Sequence, residues 1–286
     1  MLSLHTNNSA LSAQNALSRT QSNLSTSMTR LSTGYRINSA MDDAAGLQIA
    51  TRLKAQTSGM AVAMRNTQNS TSMLQTAEGA LNEVNNMLVR MKDLATQAAD
   101  QSSTSADKTA MQSEFDNLGK ELLNVMKNTK FGGEALLQGG TLASKMTFQI
   151  GASTEEKMEI DLSSSMGATG TVMTSLSSVS VQFASATTAG TELGAAHTLI
   201  NTINDAIDNV STVRSSLGAA ATRLDHVYNN LSNISSNTKA ATGRIMDVDV
   251  ATESASMTAN QMLMQAGTAM LKQSNSMSSM VMSLLQ

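Results

Sequence analysis

The sequence predicts a mainly α-helical fold of long antiparallel helices with one β-hairpin, and three observations lead to this prediction. The chain of 286 residues contains no Pro. Its apolar residues recur at alternating spacings of three and four over long stretches, and one short segment alternates with a period of two. Because Pro removes a backbone donor and clashes with the preceding turn, its complete absence favours uninterrupted helix.

The longest helical pattern lies between residues 46 and 98. Steps of three and four residues follow a heptad stripe, with polar exceptions at Gln56, Thr67 and Ser70. We expect one long helix here, with most of its stripe in the intramolecular core. The apolar members are Ile49, Leu53, Met60, Ala63, Leu74, Ala77, Leu81, Val84, Leu88, Met91, Ala95 and Ala98.

Two further helices are predicted in the middle of the chain. Thr104 and Asp107 are spaced like a capping box, and the helix that they begin is expected to stop at Phe131-Gly132-Gly133. Its stripe consists of Met111, Phe115, Leu118, Leu122 and Val125. Heptads resume at residue 200, with interruptions at Arg214 and Tyr228, through Ile200, Ile203, Ile207, Val210, Leu217, Ala221, Leu224 and Leu231.

The segment between these two helices has a different period. Polar and apolar residues alternate at 145–150 and again at 157–162, which predicts a β-hairpin with one apolar face over about 145–162. Residues 163–192 are rich in Ser, Thr, Gly and Ala and have weak periodicity. We therefore expect a short, variable and mostly irregular tip there.

Both ends of the chain are also predicted to be helical. The two terminal helices have long apolar faces, and the chain has too few residues of its own to cover them. The conformational entropy lost when their backbone is ordered exceeds the free energy gained by burying one apolar seam. We expect the ends to be disordered in isolation and to fold against other copies of the chain. Their stripes are Leu17, Leu24, Met28 and Leu31, and then Leu263, Ala266, Met270, Met277, Met280 and Leu284.

Composition argues against several functional classes. Nineteen basic and 22 acidic residues give a net charge of −3 without a block of either sign, so no nucleic-acid partner is expected. The absence of Cys excludes disulfides and thiolate catalysis. No secretory signal and no apolar run of about 18 residues is recognisable, so we expect a soluble protein without membrane insertion.

No catalytic, cofactor or metal site is expected, and the protein is predicted not to be an enzyme. His5, His197 and His226 are scattered, with no pair at metal-ligand spacing. Asp42 and Asp43 are adjacent and would point away from each other on a helix. A position at a helix N-terminus, where carboxylates favour the positive end of the dipole, explains them better.

Six separated stretches of the sequence form a recognisable series. In chain order they are LSTGYRINSAMDDAAGLQIATR (31–52), LQTAEGAL (74–81), RMKDLATQ (90–97), FQIGAS (148–153), RLDHVYNNLSNISSNTKAATGRIMDVDVA (223–251) and QMLMQAGTAMLKQSNSMSSMVMSLL (261–285). Together these stretches resemble bacterial flagellin, the filament protein of the flagellum. The chain resembles a short member without large outer domains, and its brevity and high Met content are similar to a lateral, swarming type. Unlike the usual pattern, it has Ser276-Met277-Ser278-Ser279 where the family usually carries Pro.

The resemblance implies a coiled-coil inner domain formed by 1–42 and 243–286, and an outer helical rod with the hairpin at 43–242. It implies an extracellular structural subunit that polymerises with copies of itself into the hollow, helical flagellar filament for swimming or swarming. The implied partners are a flagellar export chaperone on the C-terminal helix, and hook-associated and cap proteins. Two alternatives stay open: a hook–filament junction protein, and a secreted coiled-coil effector or binding module of a type III system.

The resemblance also implies particular surfaces. Arg90, Leu94, Gln97 and Glu114 match positions by which the vertebrate flagellin-sensing Toll-like receptor recognises flagellins, although we expect them mainly to make filament contacts. The C-terminal apolar tail sensed by cytosolic receptors corresponds to Val281, Leu284 and Leu285. The predicted inner-domain assembly seam is Leu17, Leu24, Met28, Leu31, Leu263, Met270, Met277, Met280 and Leu284.

Overall fold

The structure is a computed structural model that describes residues 7–167, 170–186 and 192–284. Long helices dominate it, which confirms the predicted mainly α-helical fold. The helices are α1 (Asn8–Thr33), α2 (Ala44–Ala98), α3 (Ser105–Asn128), α4 (Ser163–Met166), α5 (Thr171–Ala186), α6 (Glu192–Met246) and α7 (Val250–Leu284). Two antiparallel strand pairs join them: β1 (Lys130–Phe131) with β2 (Glu134–Ala135), and β3 (Met146–Gln149) with β4 (Lys157–Ile160).

The chain divides into two compact units. The terminal unit consists of Met1–Thr57 and Ser236–Gln286, and the central unit of Ser58–Ser235. Helices α2 and α6 contribute residues to both units. The predicted inner domain falls within the terminal unit, and its place on the inside of an assembly stays a prediction.

In the terminal unit, α1 and α7 pair antiparallel. The Asn7 side chain caps α1 by accepting from the backbone N–H of Ala10 at 3.0 Å, and its Nδ2 donates to the carbonyl oxygen of Ser274 at 3.2 Å. At the other end of α1, an Arg30 nitrogen lies 3.7 Å from a Glu253 oxygen near the start of α7. Residue numbers therefore rise along one helix as they fall along the other.

Backbone hydrogen bonds fix the segment after α1 to the turn between α6 and α7. Gly34 ends α1 with a left-handed φ of 74°, a conformation that L side chains rarely adopt. Its carbonyl accepts from the N–H of Val248 at 3.0 Å, and the N–H of Arg36 donates to the carbonyl of Met246 at 2.6 Å. These bonds tie the two ends of the chain together within one unit.

The predicted place of the two adjacent carboxylates at a helix N-terminus is confirmed. Asp43 Oδ1 accepts from the N–H of Gly46 at 2.8 Å and so caps the first turn of α2. Asp42 Oδ2 accepts from the N–H groups of Ser39 at 2.8 Å and Asn38 at 3.0 Å. The bond from Ser39, followed by that from Asn38, holds the pKa of Asp42 below its usual range.

The core of the central unit lies between α2, α3, α5, α6 and the hairpins. Met60 packs near Leu231, and Glu78 faces Arg214 at 3.9 Å, so α2 and α6 run antiparallel here. The predicted stripe on α2 is buried over Leu74, Ala77, Leu81, Val84, Leu88, Met91 and Ala95. On α6 the predicted stripe is buried at Ile203, Val210, Leu217, Leu224 and Leu231. The predicted Ile200, Ile207 and Ala221 are only partly buried, because the covered face of α6 is centred on a row that also includes Leu199, Ala206, Val213 and Ala220.

The polar exceptions in the α2 stripe behave in two ways. Thr67 and Ser70 are buried, and their hydroxyls donate to the carbonyls of Ala63 and Asn66, each at 2.8 Å. Gln56 is exposed. The buried hydroxyls are satisfied within their own helix, so they interrupt the apolar stripe without leaving an unpaired polar group.

The predicted capping box of α3 is confirmed, but the predicted stop is three residues late. The hydroxyl of Thr104 accepts from the N–H of Asp107 at 3.3 Å, and the Asp107 carboxylate accepts from the N–H of Thr104 at 3.1 Å. The helix ends at Asn128, because Gly132 and Gly133 have positive φ and form the turn of a hairpin that already includes Lys130–Phe131. This first hairpin is not predicted by the sequence.

The second hairpin matches the predicted alternation. Met158 and Ile160 are buried on one face of β4, and the Gln149 side chain donates to the carbonyls of Gly151 at 3.0 Å and Ser153 at 2.6 Å across the loop. A Cβ added to Gly59 of α2 would lie 2.7 Å from the Cβ of Ala152. The loop therefore rests directly on the helix.

The prediction of a mostly irregular tip at 163–192 is wrong. This stretch contains α4, α5 and the start of α6, with residues 168–169 and 187–191 outside the described part. Val172, Leu176 and Val179 occupy one face of α5 and are buried in the central core. Small polar residues obscure this spacing of four and three in the sequence, but burial of the three apolar side chains is enough to fix the helix.

Candidate assembly surface

The seam between α1 and α7 is narrow and rich in small or polar residues. On α1, Leu24 and Ser27 are buried, and Leu17 and Leu31 are half-buried. On α7, the half-buried positions recur every three or four residues and comprise Met257, Asn260, Met264, Gly267, Leu271 and Ser274. The absence of a side chain at Gly267 makes room for Leu17, whose Cδ1 would lie 3.2 Å from a Cβ there.

The two predicted α7 seam residues whose side chains are described, Leu263 and Met270, lie outside this intramolecular contact. Leu263 is 59% exposed and Met270 is 66% exposed, and on α1 Met28 is also exposed. Of the predicted α1 positions, Leu17, Leu24 and Leu31 face α7. The predicted seam is thus divided between an internal contact and an open face.

We call the open face the assembly surface and define it by five exposed Leu and Met side chains of α1 and α7. Single exposed apolar residues are normal on soluble proteins. Here, however, the seam covers only one side of each helix. Its Leu and Met side chains are joined there by Ser27, Asn260 and Ser274, while further large apolar side chains of the same two helices stay exposed. Such a surface is suited to burial against another molecule. It consists of Leu11, Met28, Met262, Leu263 and Met270.

Helix α7 is longer than the part of it whose side chains are described. The helix continues to Leu284. The predicted seam residues Met277, Met280 and Leu284, and the predicted tail residues Val281 and Leu285, have side chains outside the described part. Their roles in assembly and in cytosolic sensing stay predictions.

Charged groups lie at the end of the helix pair where α1 ends and α7 begins. Arg30 lies 3.9 Å from Asp42 and 3.7 Å from Glu253, so one guanidinium links α1 to both the following loop and α7. Asp249 caps α7 by accepting from the backbone N–H of Ala251 at 3.0 Å. It also accepts from the Thr252 hydroxyl at 2.8 Å, and this second bond is the main cause that lowers the pKa of Asp249. These pairs are partly solvated, so they orient the helices more than they stabilise them.

The predicted receptor residues lie in the central unit, and three of the four are exposed. Arg90 Nε and Nη2 both donate to Glu114 Oε1, at 2.9 and 2.6 Å, which connects the outer faces of α2 and α3. Gln97 is exposed two turns further along α2. Leu94 is buried in the core, so in the free chain it supports the helix that presents the other three rather than contributing contact area.

The described residues contain no group of three or more His, Cys, Asp or Glu placed to hold a metal ion. Among the same residues, no helix is both long and apolar enough to cross a membrane.

The structure defines the class of protein as a mainly helical one, with paired terminal helices that expose apolar side chains and a helical central unit that carries small hairpins. Family comparison makes this specific. The bacterial flagellin N-terminal helical region matches residues 4–141, and the bacterial flagellin C-terminal helical region matches residues 200–285. The chain belongs to the bacterial flagellin family.

Individual relatives agree with this assignment. Polar flagellin F of Vibrio parahaemolyticus is 48% identical over 163 residues, which are 57% of this chain and 43% of that protein. Flagellin C of Vibrio cholerae is 48% identical over 161 residues, which are 56% of this chain and 42% of that protein. The matched part of the chain therefore spans less than half the length of either curated relative.

A solved structure described as a flagellar hook-associated protein from Vibrio parahaemolyticus has a similar fold. It matches with a TM-score of 0.60 at 17% identity and covers 72% of this chain and 100% of that chain. At this identity the likeness concerns the fold alone.

Proposed function

We propose that this chain is a structural, non-enzymatic subunit of the extracellular flagellar filament, which polymerises with copies of itself into a hollow helical tube used for swimming or swarming. The observation that carries the proposal is the assembly surface. Large apolar side chains of α1 and α7 are exposed, because the seam between the two helices covers only one side of each. Membership of the flagellin family supports the same conclusion.

The proposed mechanism is burial of the assembly surface by neighbouring copies. Fully burying a Leu or Met side chain contributes about 1.5 to 3 kcal/mol. In a lone subunit, only the side chains in the narrow α1–α7 seam contribute this stabilisation. In a subunit surrounded by copies, the side chains of the assembly surface contribute it as well. Assembly would therefore stabilise the terminal helices, and the chain would order its ends as it docks.

The same face suits the proposed accessory partners. An export chaperone that covers α7 before assembly would shield Met262, Leu263 and Met270 from premature association. Hook-associated and cap proteins would meet the same helices at the two ends of a filament. The chaperone and other copies of the chain would compete for the assembly surface. A subunit bound to the chaperone would therefore not associate with other subunits until the chaperone releases it.

Seeded elongation tests the filament proposal. Purified full-length chain should elongate sonicated seeds into filaments that sediment and are visible by electron microscopy. A chain lacking residues 271–286 should keep the cooperative unfolding of its central unit, measured by circular dichroism, but fail to elongate the same seeds. Normal filaments from the truncated chain would refute the mechanism.

The same assay separates the two alternatives. A secreted effector or binding module would stay small at every concentration, as measured by analytical ultracentrifugation. A hook–filament junction protein would bind seed ends in limiting number without extending them. Continued growth in proportion to added chain is expected only of a filament subunit.

We also propose that host receptors recognise this chain at two places. The exposed Arg90, Gln97 and Glu114, supported by the buried Leu94, would contact the surface flagellin receptor, and Val281, Leu284 and Leu285 would be sensed in the cytosol. The Arg90–Glu114 pair supplies a fixed arrangement of donors and acceptor. Purified monomer should activate receptor-reporter cells, and Arg90→Ala should weaken the response while leaving thermal unfolding nearly unchanged. The proposal would be contradicted if the wild-type monomer gave no reporter response at concentrations at which a typical enteric flagellin saturates the receptor.

A further inference from the structure

Methionine is the oxidisable sulfur residue of this chain, and its distribution in the structure is uneven. The sequence contains 22 Met and no Cys. Met28 is 51% exposed, Met41 96%, Met262 60% and Met270 66%. The core of the central unit instead encloses a second group of methionines that are nearly inaccessible, namely Met60, Met91, Met111, Met126, Met158 and Met166.

Hydroperoxides convert an exposed thioether to a sulfoxide. The sulfur lone pair attacks one peroxide oxygen, the O–O bond breaks, an S–O bond forms and, with hydrogen peroxide, water leaves. The sulfur is oxidised by two electrons, and the peroxide is reduced by the same two. The product is polar, and methionine sulfoxide reductases of types A and B restore the thioether.

We propose that Met28, Met262 and Met270 form an oxidation-sensitive part of the assembly surface, at which peroxide-class oxidants block association of the free subunit. This inference rests on the proposed filament function. Three of the five side chains that define the surface are methionines. A sulfoxide there must lose its bound water when a copy covers it, so modification penalises the docked state more than the free one.

Exposure accounts for the selectivity of the proposed reaction. In the free chain, the three surface methionines meet solvent, while the core group is shielded by packing. In a filament the surface methionines would be covered by neighbouring copies and become shielded as well. The free subunit is then the sensitive form, and assembled material is resistant.

The experiment treats full-length monomer and finished filaments with hydrogen peroxide, removes the peroxide with catalase, and locates sulfoxides by peptide mass spectrometry. In the monomer, Met28, Met262 and Met270 should be modified well before Met91 and Met126. In filaments they should react at least about fivefold more slowly. Equal rates in monomer and filament would overturn the inference.

Seeded elongation gives the functional readout. Treated monomer should show a critical concentration raised by roughly tenfold or more, because each lost apolar contact corresponds to about that factor. Incubation with both reductases should restore elongation. Unchanged elongation after mapped oxidation of the three residues would also overturn the inference.

Two variants assign the effect to particular side chains. The triple variant Met28→Leu, Met262→Leu, Met270→Leu should have similar critical concentrations with and without peroxide, whereas Met41→Leu should remain as sensitive as wild type. Each variant is compared with its own untreated sample, so a change in basal elongation cancels. Sensitivity retained by the triple variant would place the effect at other methionines and refute the assignment.

The outcomes also distinguish this inference from the filament proposal. If untreated wild-type chain fails to elongate seeds, the proposed function fails, and with it the inference. If untreated chain elongates and oxidised chain elongates equally well, only the inference fails.

Discussion

Replacing Leu263 by Ala provides a direct measure of how far the assembly surface is covered by other copies. Leu→Ala removes about three CH₂ equivalents, worth roughly 2.4 kcal/mol when their transfer from water is complete. Leu263 is 59% exposed when α1 and α7 are paired as in the structure. Covering that exposed fraction in an assembly therefore accounts for about 1.4 kcal/mol of the total, which corresponds to roughly a tenfold change in an equilibrium constant.

The assay measures the critical concentration for seeded elongation and, separately, the thermal unfolding of the monomer. We expect Leu263→Ala to raise the critical concentration about tenfold. Monomer stability should change by no more than about 0.5 kcal/mol, because most of the side chain is solvated and Ala is a good helix former. The effect should thus appear in assembly and not in folding.

Leu123→Ala serves as the matched control. Leu123 lies on α3 in the central unit, is 38% exposed and is not part of the assembly surface. A similar rise in critical concentration for Leu123→Ala would mean that the assay reports general loss of surface hydrophobicity. A change of less than about twofold for Leu263→Ala would refute the reasoning, since it would mean that the residue stays solvated in the filament.

Three further outcomes follow from the central unit. Leu81→Ala should destabilise the monomer by about 2 to 5 kcal/mol in denaturant unfolding, because the side chain is fully buried. The Thr104 hydroxyl, followed by its N–H, lowers the pKa of Asp107, so the stability from this carboxylate is present above its unfolded pKa and disappears as pH falls through the folded one. The protection factors of the α3 amides, which correct for the intrinsic pH dependence of amide exchange, should be lower at about pH 3 than at about pH 5, and Asp107→Asn should abolish this difference. Gly59→Ala should destabilise the hairpin by clashing with Ala152, and Ala152→Gly should remove that penalty in the double variant, as thermal unfolding can measure.

Much of the secondary structure is evident from the sequence because it depends on local rules. Leu74, Leu81 and Leu88 repeat at the spacing of one helix face, and Thr104 with Asp107 forms a cap from residues three apart. The β1–β2 hairpin and α5 are not evident in the same way. The two-residue strands at Lys130–Phe131 and Glu134–Ala135 are too short to show a period, and α5 is recognisable only once its apolar face meets the core.

The candidate surfaces are only partly evident from sequence. Arg90 and Glu114 are 24 residues apart, and only the packing of α2 against α3 brings them within hydrogen-bond distance. Leu94 belongs to the same sequence motif as Arg90, but it points into the core. A motif indicates which residues occur together along the chain, whereas exposure depends on which face of the helix is covered.

The sequence by itself determined that this protein is built from long helices, including one at each end, because the absence of Pro and the repeat of three and four residues constrain each helix locally. Only the tertiary structure decided which side of α7 is internal. Met262, Leu263, Met264, Met270 and Leu271 place apolar groups around much of that helix, so periodicity alone does not select a face. The face of α7 that packs against α1 is selected by shape, because Gly267 has no side chain and Leu17 of α1 can approach it closely. This contact leaves Leu263 and Met270 on the open side.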